Sequence, residues 1–94
     1  MTVRHTIQDK TRLLQRVRRL RGQVEAIERA LQKKADCARV MQLTVSARGA
    51  ANSLMAALLE DHIRLHVSDP ARDRDRSRAR GSKHLIEVVR AYLR

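Results

Sequence analysis

The chain has 94 residues, with 21 Lys and Arg against 10 Asp and Glu, a net charge of +11 and a pI near 11.5. That length suits one domain, 1–94, with a modest core, and the single cysteine excludes an intramolecular disulfide framework. No stretch reads as a signal peptide or approaches the apolar length of a transmembrane helix, so the expectation is a cytoplasmic protein without membrane contact.

Tyr92 is the only aromatic residue. The apolar content therefore rests on Leu, Val, Ile, Ala and Met, the residues of helix–helix packing. Arginine dominates the basic residues, and its planar fork is the better bidentate partner for phosphate. A basic excess this large on a small chain is the footprint of a nucleic-acid binder. A membrane-surface helix is the bland alternative, but no face here is rich in Trp or Phe.

In chain order, Thr6 to Asp9 has the form of a capping box. Leu13, Val17, Leu20, Val24, Ile27 and Leu31 follow at alternating spacings of four and three, which predicts a helix with a coiled-coil-like seam. It should run to about Lys34, where Lys33 and Lys34 suit a helix C-terminus. Asp36 reads as the N-cap of a second, long helix that opens with Cys37 and carries Val40, Leu43, Ala47, Ala50, Leu54, Leu58 and Ile63 on its apolar side. Gly49, within SARGAANS, is expected to allow a close helix crossing rather than a break. Residues 68–82, SDPARDRDRSRARGS, carry no large apolar side chain and read as a solvated connector. Ser82 is expected to cap a short last helix packed through Leu85, Ile86, Val88, Val89, Tyr92 and Leu93. The fold class is all-α with three helices, two long antiparallel ones and a short C-terminal one.

Within LLEDHIRLH (58–66), His62 and His66 stand four apart and share one helical face. A hairpin folded at 34–36 places His5 opposite His66, which offers a third imidazole. Cys37 lies 25 residues before His62 on the same helix, about 37 Å at the rise of an α-helix, so the two cannot meet within one chain. Two copies packed antiparallel would bring Cys37 of one against His62, His66 and His5 of the other, under the commonest symmetry for soluble oligomers. Lys33, Lys34 and Arg39 and the first turn of a helix favour thiolate at Cys37, the form that binds metal or attacks an electrophile. Taken singly, Cys37 reads more often as an inert small hydrophobe and each histidine, His84 included, as a surface residue. Arg12, Arg16 and Arg19 form a basic stripe on the first helix. The arginines at 74, 76, 78 and 80, interspersed with aspartate, read as solvated.

RVRRLRGQVEAIERAL (16–31), the Cys37 helix start, ARGAANSLMAALLEDHIRLH (47–66) and HLIEVVRAYLR (84–94) together resemble the CsoR/RcnR family of bacterial metal-sensing repressors. The resemblance implies an all-helical antiparallel dimer that assembles into a homotetramer, is not an enzyme, binds double-stranded operator DNA and releases it on binding its effector. It also implies control of metal efflux genes. The quartet His5, Cys37, His62 and His66 is similar to the nickel/cobalt branch, and one thiolate with three imidazoles suits Ni(II) or Co(II), with Zn(II) as an alternative. Arg16, Arg19 and Arg48 match basic positions of the family, which with Arg12 form the expected DNA surface. A covalent formaldehyde sensor reacting through Cys37 is the second reading, although Thr2 stands where that branch carries proline. A basic DNA-binding protein without an effector is the third.

Overall fold

The computed structural model describes residues 10–93. His5 and the capping box at Thr6 lie outside the described residues. Three helices follow in order: α1 (Lys10–Gln32), α2 (Cys37–His66) and α3 (Arg76–Tyr92). Among the described residues there is no strand, as the all-α expectation required, and no helix is long and apolar enough to cross a membrane.

The turn between α1 and α2 is built by backbone hydrogen bonds. Ala35 N–H donates to Ala30 at 2.9 Å and Lys34 N–H donates to Leu31 at 3.1 Å, the paired bonds of a Schellman motif. Lys34 occupies the left-handed position with φ 57°, where glycine is the usual choice. Two residues on, the Asp36 carboxylate accepts the backbone N–H of Arg39 at 2.8 Å and caps α2 as its residue type predicts. The two helices run antiparallel. Arg12 of α1 meets Asp61 of α2, and Arg16 donates to Ser53 Oγ, pairs nearly equidistant from the turn.

The alternating α1 seam splits between two faces. Leu13 is buried and Leu20 and Ile27 are half-buried against α2, while Val17, Val24 and Leu31 are exposed. On α2 the buried apolar residues are Ala47, Ala50 and Ala57, with Ala50 at 2% exposure, and Ile63 near the end of the helix. Gly49 does not break α2, as expected, but it is not where α1 and α2 cross within the chain. A Cβ built there would meet nothing within 4 Å, so alanine side chains, one position over, set the approach of the helices.

The connector is shorter than its composition suggests. Residues 68–82 do not form one solvated segment: α3 starts at Arg76, six residues before Ser82, and its N-cap is Asp75, whose carboxylate accepts Arg78 N–H at 3.1 Å. The loop before it is knitted by Asp73, which accepts Arg78 Nε at 2.6 Å, Ser68 Oγ at 2.5 Å and the backbone N–H of Asp75 at 2.9 Å. Ser82 is a buried contact rather than a cap, its hydroxyl donating to the Ser68 carbonyl. Polar side chains, not an apolar period, therefore set the first turns of α3. Ile86 is its one fully packed apolar residue, and Val89 and Leu93 are half-buried, while Leu85, Val88 and Tyr92 face outward.

Candidate functional site

Each ligand candidate among the described residues is placed by α2. Its first residue, Cys37, is exposed beside the Asp36 cap, with the thiol 3.6 Å from Met41 Sδ one turn on. Its last two turns carry His62 and His66, both exposed, with ring centroids 4.5 Å apart and planes tilted by 33°. The i, i+4 spacing thus brings the two imidazoles together as predicted. Cys37 stands at the opposite end of a 30-residue helix. Among the described residues no group of three His, Cys, Asp or Glu side chains is gathered to hold an ion.

The same last turns of α2 hold two buried carboxylates that the histidine pattern did not draw attention to. Glu60 accepts Arg90 Nε of α3 at 2.7 Å and lies 3.3 Å from Arg64 Nη2. Asp61, next to His62, lies 3.5 Å from Arg12 Nη2. The hairpin register could have signalled the Asp61 pair, since it sets Arg12 nearly opposite. Nothing local signals Arg90, because its contact depends on how α3 folds back. Arg12, Arg16, Ser53, Glu60, Arg90 and Leu93 line most of a cleft of about 300 Å³ where the three helices meet.

Burial pushes the Glu60 carboxyl up, but the Arg90 hydrogen bond and the charges of Arg64, Arg90 and Arg12 outweigh it and leave it below the usual carboxylate range. The Arg90 guanidinium is raised in turn by its bond to Glu60. A depressed acid adds stability that is fully present above its unfolded value of 4.5 and is lost as pH falls through the folded value. Because both arginine partners are substantially exposed, the Glu60→Gln change should cost about 1 kcal/mol at neutral pH. Thermal unfolding followed from neutral to acid pH should show the difference between the two proteins closing below about pH 4.5. A gap that persists in acid would mean that Glu60 acts through shape and not charge. Asp73 is also held low, by Arg78, Ser68 and the Asp75 N–H, but it is common to both proteins and cancels.

Of the four arginines expected at a DNA surface, Arg19 and Arg48 are exposed, whereas Arg12 and Arg16 are half-buried. Arg12 and Arg16 bridge α1 to α2 through Asp61 and Ser53. The α1 stripe is therefore divided between interhelical contacts and solvent. His84 is exposed on α3, as its place in a basic stretch suggested.

Comparison with known proteins gives these features a setting. The profile of the metal-sensitive transcriptional repressor family matches residues 9–91. A Serratia marcescens protein described as an uncharacterized protein in the bioA 5' region is 42% identical over 90 residues, covering 96% of this chain and 98% of its own length. The transcriptional repressor RcnR of Salmonella paratyphi B (strain ATCC BAA-1250 / SPB7) is 33% identical over 93 residues, covering 96% and 98%. The chain belongs to the metal-sensitive transcriptional repressors of the CsoR/RcnR family, which are regulators and not enzymes.

Proposed function

We propose that the protein represses genes of metal efflux by binding operator DNA, and releases it on binding Ni(II) or Co(II). The observation that carries this reading is the distribution of ligands on α2, with a paired, exposed His62 and His66 at one end and an exposed Cys37 at the other. An antiparallel dimer would join Cys37 of one subunit to His62, His66 and His5 of its partner. A thiolate with imidazoles is a borderline donor set that fits these ions, and Zn(II) also.

The exposed apolar residues support self-association. Val17, Val24 and Leu31 on α1 and Met41, Val45, Met55 and Leu59 on α2 are left uncovered by the single chain. No large side chain among the described residues is fully buried, so one chain supplies a thin core. A homodimer, and a homotetramer built from it, would cover these residues.

Arg16, Arg19, Arg48 and Arg12 are the proposed DNA contacts. Asp61 links the two activities, since it adjoins His62 and pairs with Arg12. The ligand histidines and a DNA-contacting arginine would then share one end of the hairpin. An effector shifts such an equilibrium only by its differential affinity for two conformations, and coupling is typically 1–3 kcal/mol, about 5–150-fold. Operator affinity measured with and without saturating Ni(II) or Co(II) should therefore fall about 5–150-fold with metal. Unchanged affinity would end the proposal.

The exposed thiol of Cys37 favours one other reading, covalent sensing of an aldehyde such as formaldehyde. A His66→Ala protein that still releases DNA on aldehyde treatment, but not on metal addition, would select it.

A further inference from the structure

The first half of α3 replaces what composition presents as a solvated connector, and it arranges the basic residues there. Arg76, Arg80 and Lys83 are spaced i, i+4, i+7 and line one groove of about 300 Å³ with Pro70, Asp73 and Ala79. Ala79, Ser82, Ile86 and Val89 turn toward the hairpin, so this stripe runs along the flank of α3 beside the packed face. Arg74 stands in the loop just before the stripe, and all four cations are exposed.

The local acids are already committed. Asp73 is taken by Arg78, Ser68 and the Asp75 N–H, and Asp75 caps the helix and lies 3.8 Å from Arg78 Nη1. Arg72 lies 3.9 Å from Asp69. Among the described residues Arg74, Arg76, Arg80 and Lys83 have no ion-pair partner. Glu87, one turn past Lys83, bounds the stripe. Four uncompensated cations are thus held on a capped helix and a hydrogen-bonded loop, at little further ordering cost on contact with a partner.

We infer that the Arg76–Arg80–Lys83 stripe of α3, with Arg74, is a second nucleic-acid contact that binds the phosphate backbone of duplex DNA. The inference rests on the repressor reading above and adds a surface distinct from the α1 and α2 arginines. The stripe rises about 10 Å along the helix axis. That span matches about three phosphate-to-phosphate steps of one strand, each about 3.4 Å along the duplex axis. Such contacts position a protein and add affinity without reading sequence. This surface therefore strengthens binding to any duplex that extends past the operator contacts.

The test compares the wild-type chain with the Arg76→Gln/Arg80→Gln/Lys83→Gln triple variant on a labelled random-sequence duplex across a salt series. Glutamine keeps helix propensity, and far-ultraviolet circular dichroism checks that both proteins are folded. Removing one phosphate-binding cation should make the slope of log affinity against log salt shallower by about 0.9, so the triple variant should be shallower by about 3 per bound protomer. If the triple variant does not fold, the three single variants replace it, each with a slope shallower by about 0.9. Equal slopes in wild type and folded variants would overturn the inference and leave the repressor reading intact. A wild-type chain without salt-dependent binding to this duplex would also overturn the inference, while absence of binding to operator DNA as well would overturn the repressor reading with it. Binding to phosphatidylglycerol vesicles that requires the stripe, with duplex slopes unchanged, would assign the surface to a membrane and overturn the inference.

Discussion

Cys37→Ala should abolish the thiolate-to-cobalt charge-transfer band when reduced, anaerobic protein is titrated with Co(II), and should weaken Co(II) binding at least about tenfold, or 1.4 kcal/mol. The physical case is one of reach. Cys37 and His62 sit at opposite ends of α2, about 37 Å apart along its axis, so a site that uses both must draw on two subunits. Complementation checks this directly. Cys37→Ala and His62→Ala chains, each without the band alone, should regain it when mixed, because a mixed dimer pairs an intact Cys37 with an intact His62 at one of its two sites. Metal-induced release of DNA should be lost in Cys37→Ala. A band that survives the substitution would exclude Cys37 as a ligand. Failure of the mixture to regain the band would mean that the ligands are not shared between subunits.

Ile86→Ala should be the most damaging single change to the fold. Ile86 is 3% exposed and is the one buried apolar residue that α3 contributes. Truncating a buried isoleucine to alanine costs about 2–5 kcal/mol through lost burial and the cavity left behind. A small domain has about 5–15 kcal/mol in all. The other attachments of α3 are the Ser82 to Ser68 hydrogen bond and the Arg90 to Glu60 pair, and polar contacts of this kind add little without a packed neighbour. Denaturant unfolding at a fixed protein concentration should show the loss, since self-association contributes to apparent stability. A cost under about 1 kcal/mol would show that α3 draws its packing from elsewhere in the assembly. Loss of helical signal before the main transition would show α3 detaching ahead of the hairpin.

Much of the fold was legible because the chain repeats its physical signals. The 3.6-residue period of Leu13 to Leu31, the aspartate at 36 and the absence of proline before Pro70 mark the extent of α1 and α2 to within a few residues. Hairpin register then follows from the short turn, which is why Arg12 meets Asp61 and Arg16 meets Ser53. The candidate site was half legible. The His62–His66 pair follows from helical spacing alone, and Cys37 from its place after a cap, because both depend on local geometry.

What local pattern could not decide was left to the tertiary structure. The start of α3 has no apolar period, since RDRDRSRAR carries only arginine, aspartate, serine and alanine. Its helicity depends on the Asp75 cap and on Asp73 gathering Arg78 and Ser68, contacts that exist only once the loop has folded. Glu60 and Asp61 are charged residues with no burial signal in the sequence, yet both are buried, because Arg90 arrives from α3 and Arg12 from α1 to neutralise them. The approach of the helices falls on Ala47, Ala50 and Ala57 rather than Gly49, a choice of helix face too fine for composition to reveal. By itself the sequence determined three helices, the register of the α1–α2 hairpin and the pairing of His62 with His66. The tertiary structure decided which charges are used up inside the fold and which remain free for a partner, because charge pairing between helices depends on distances that no single helix sets.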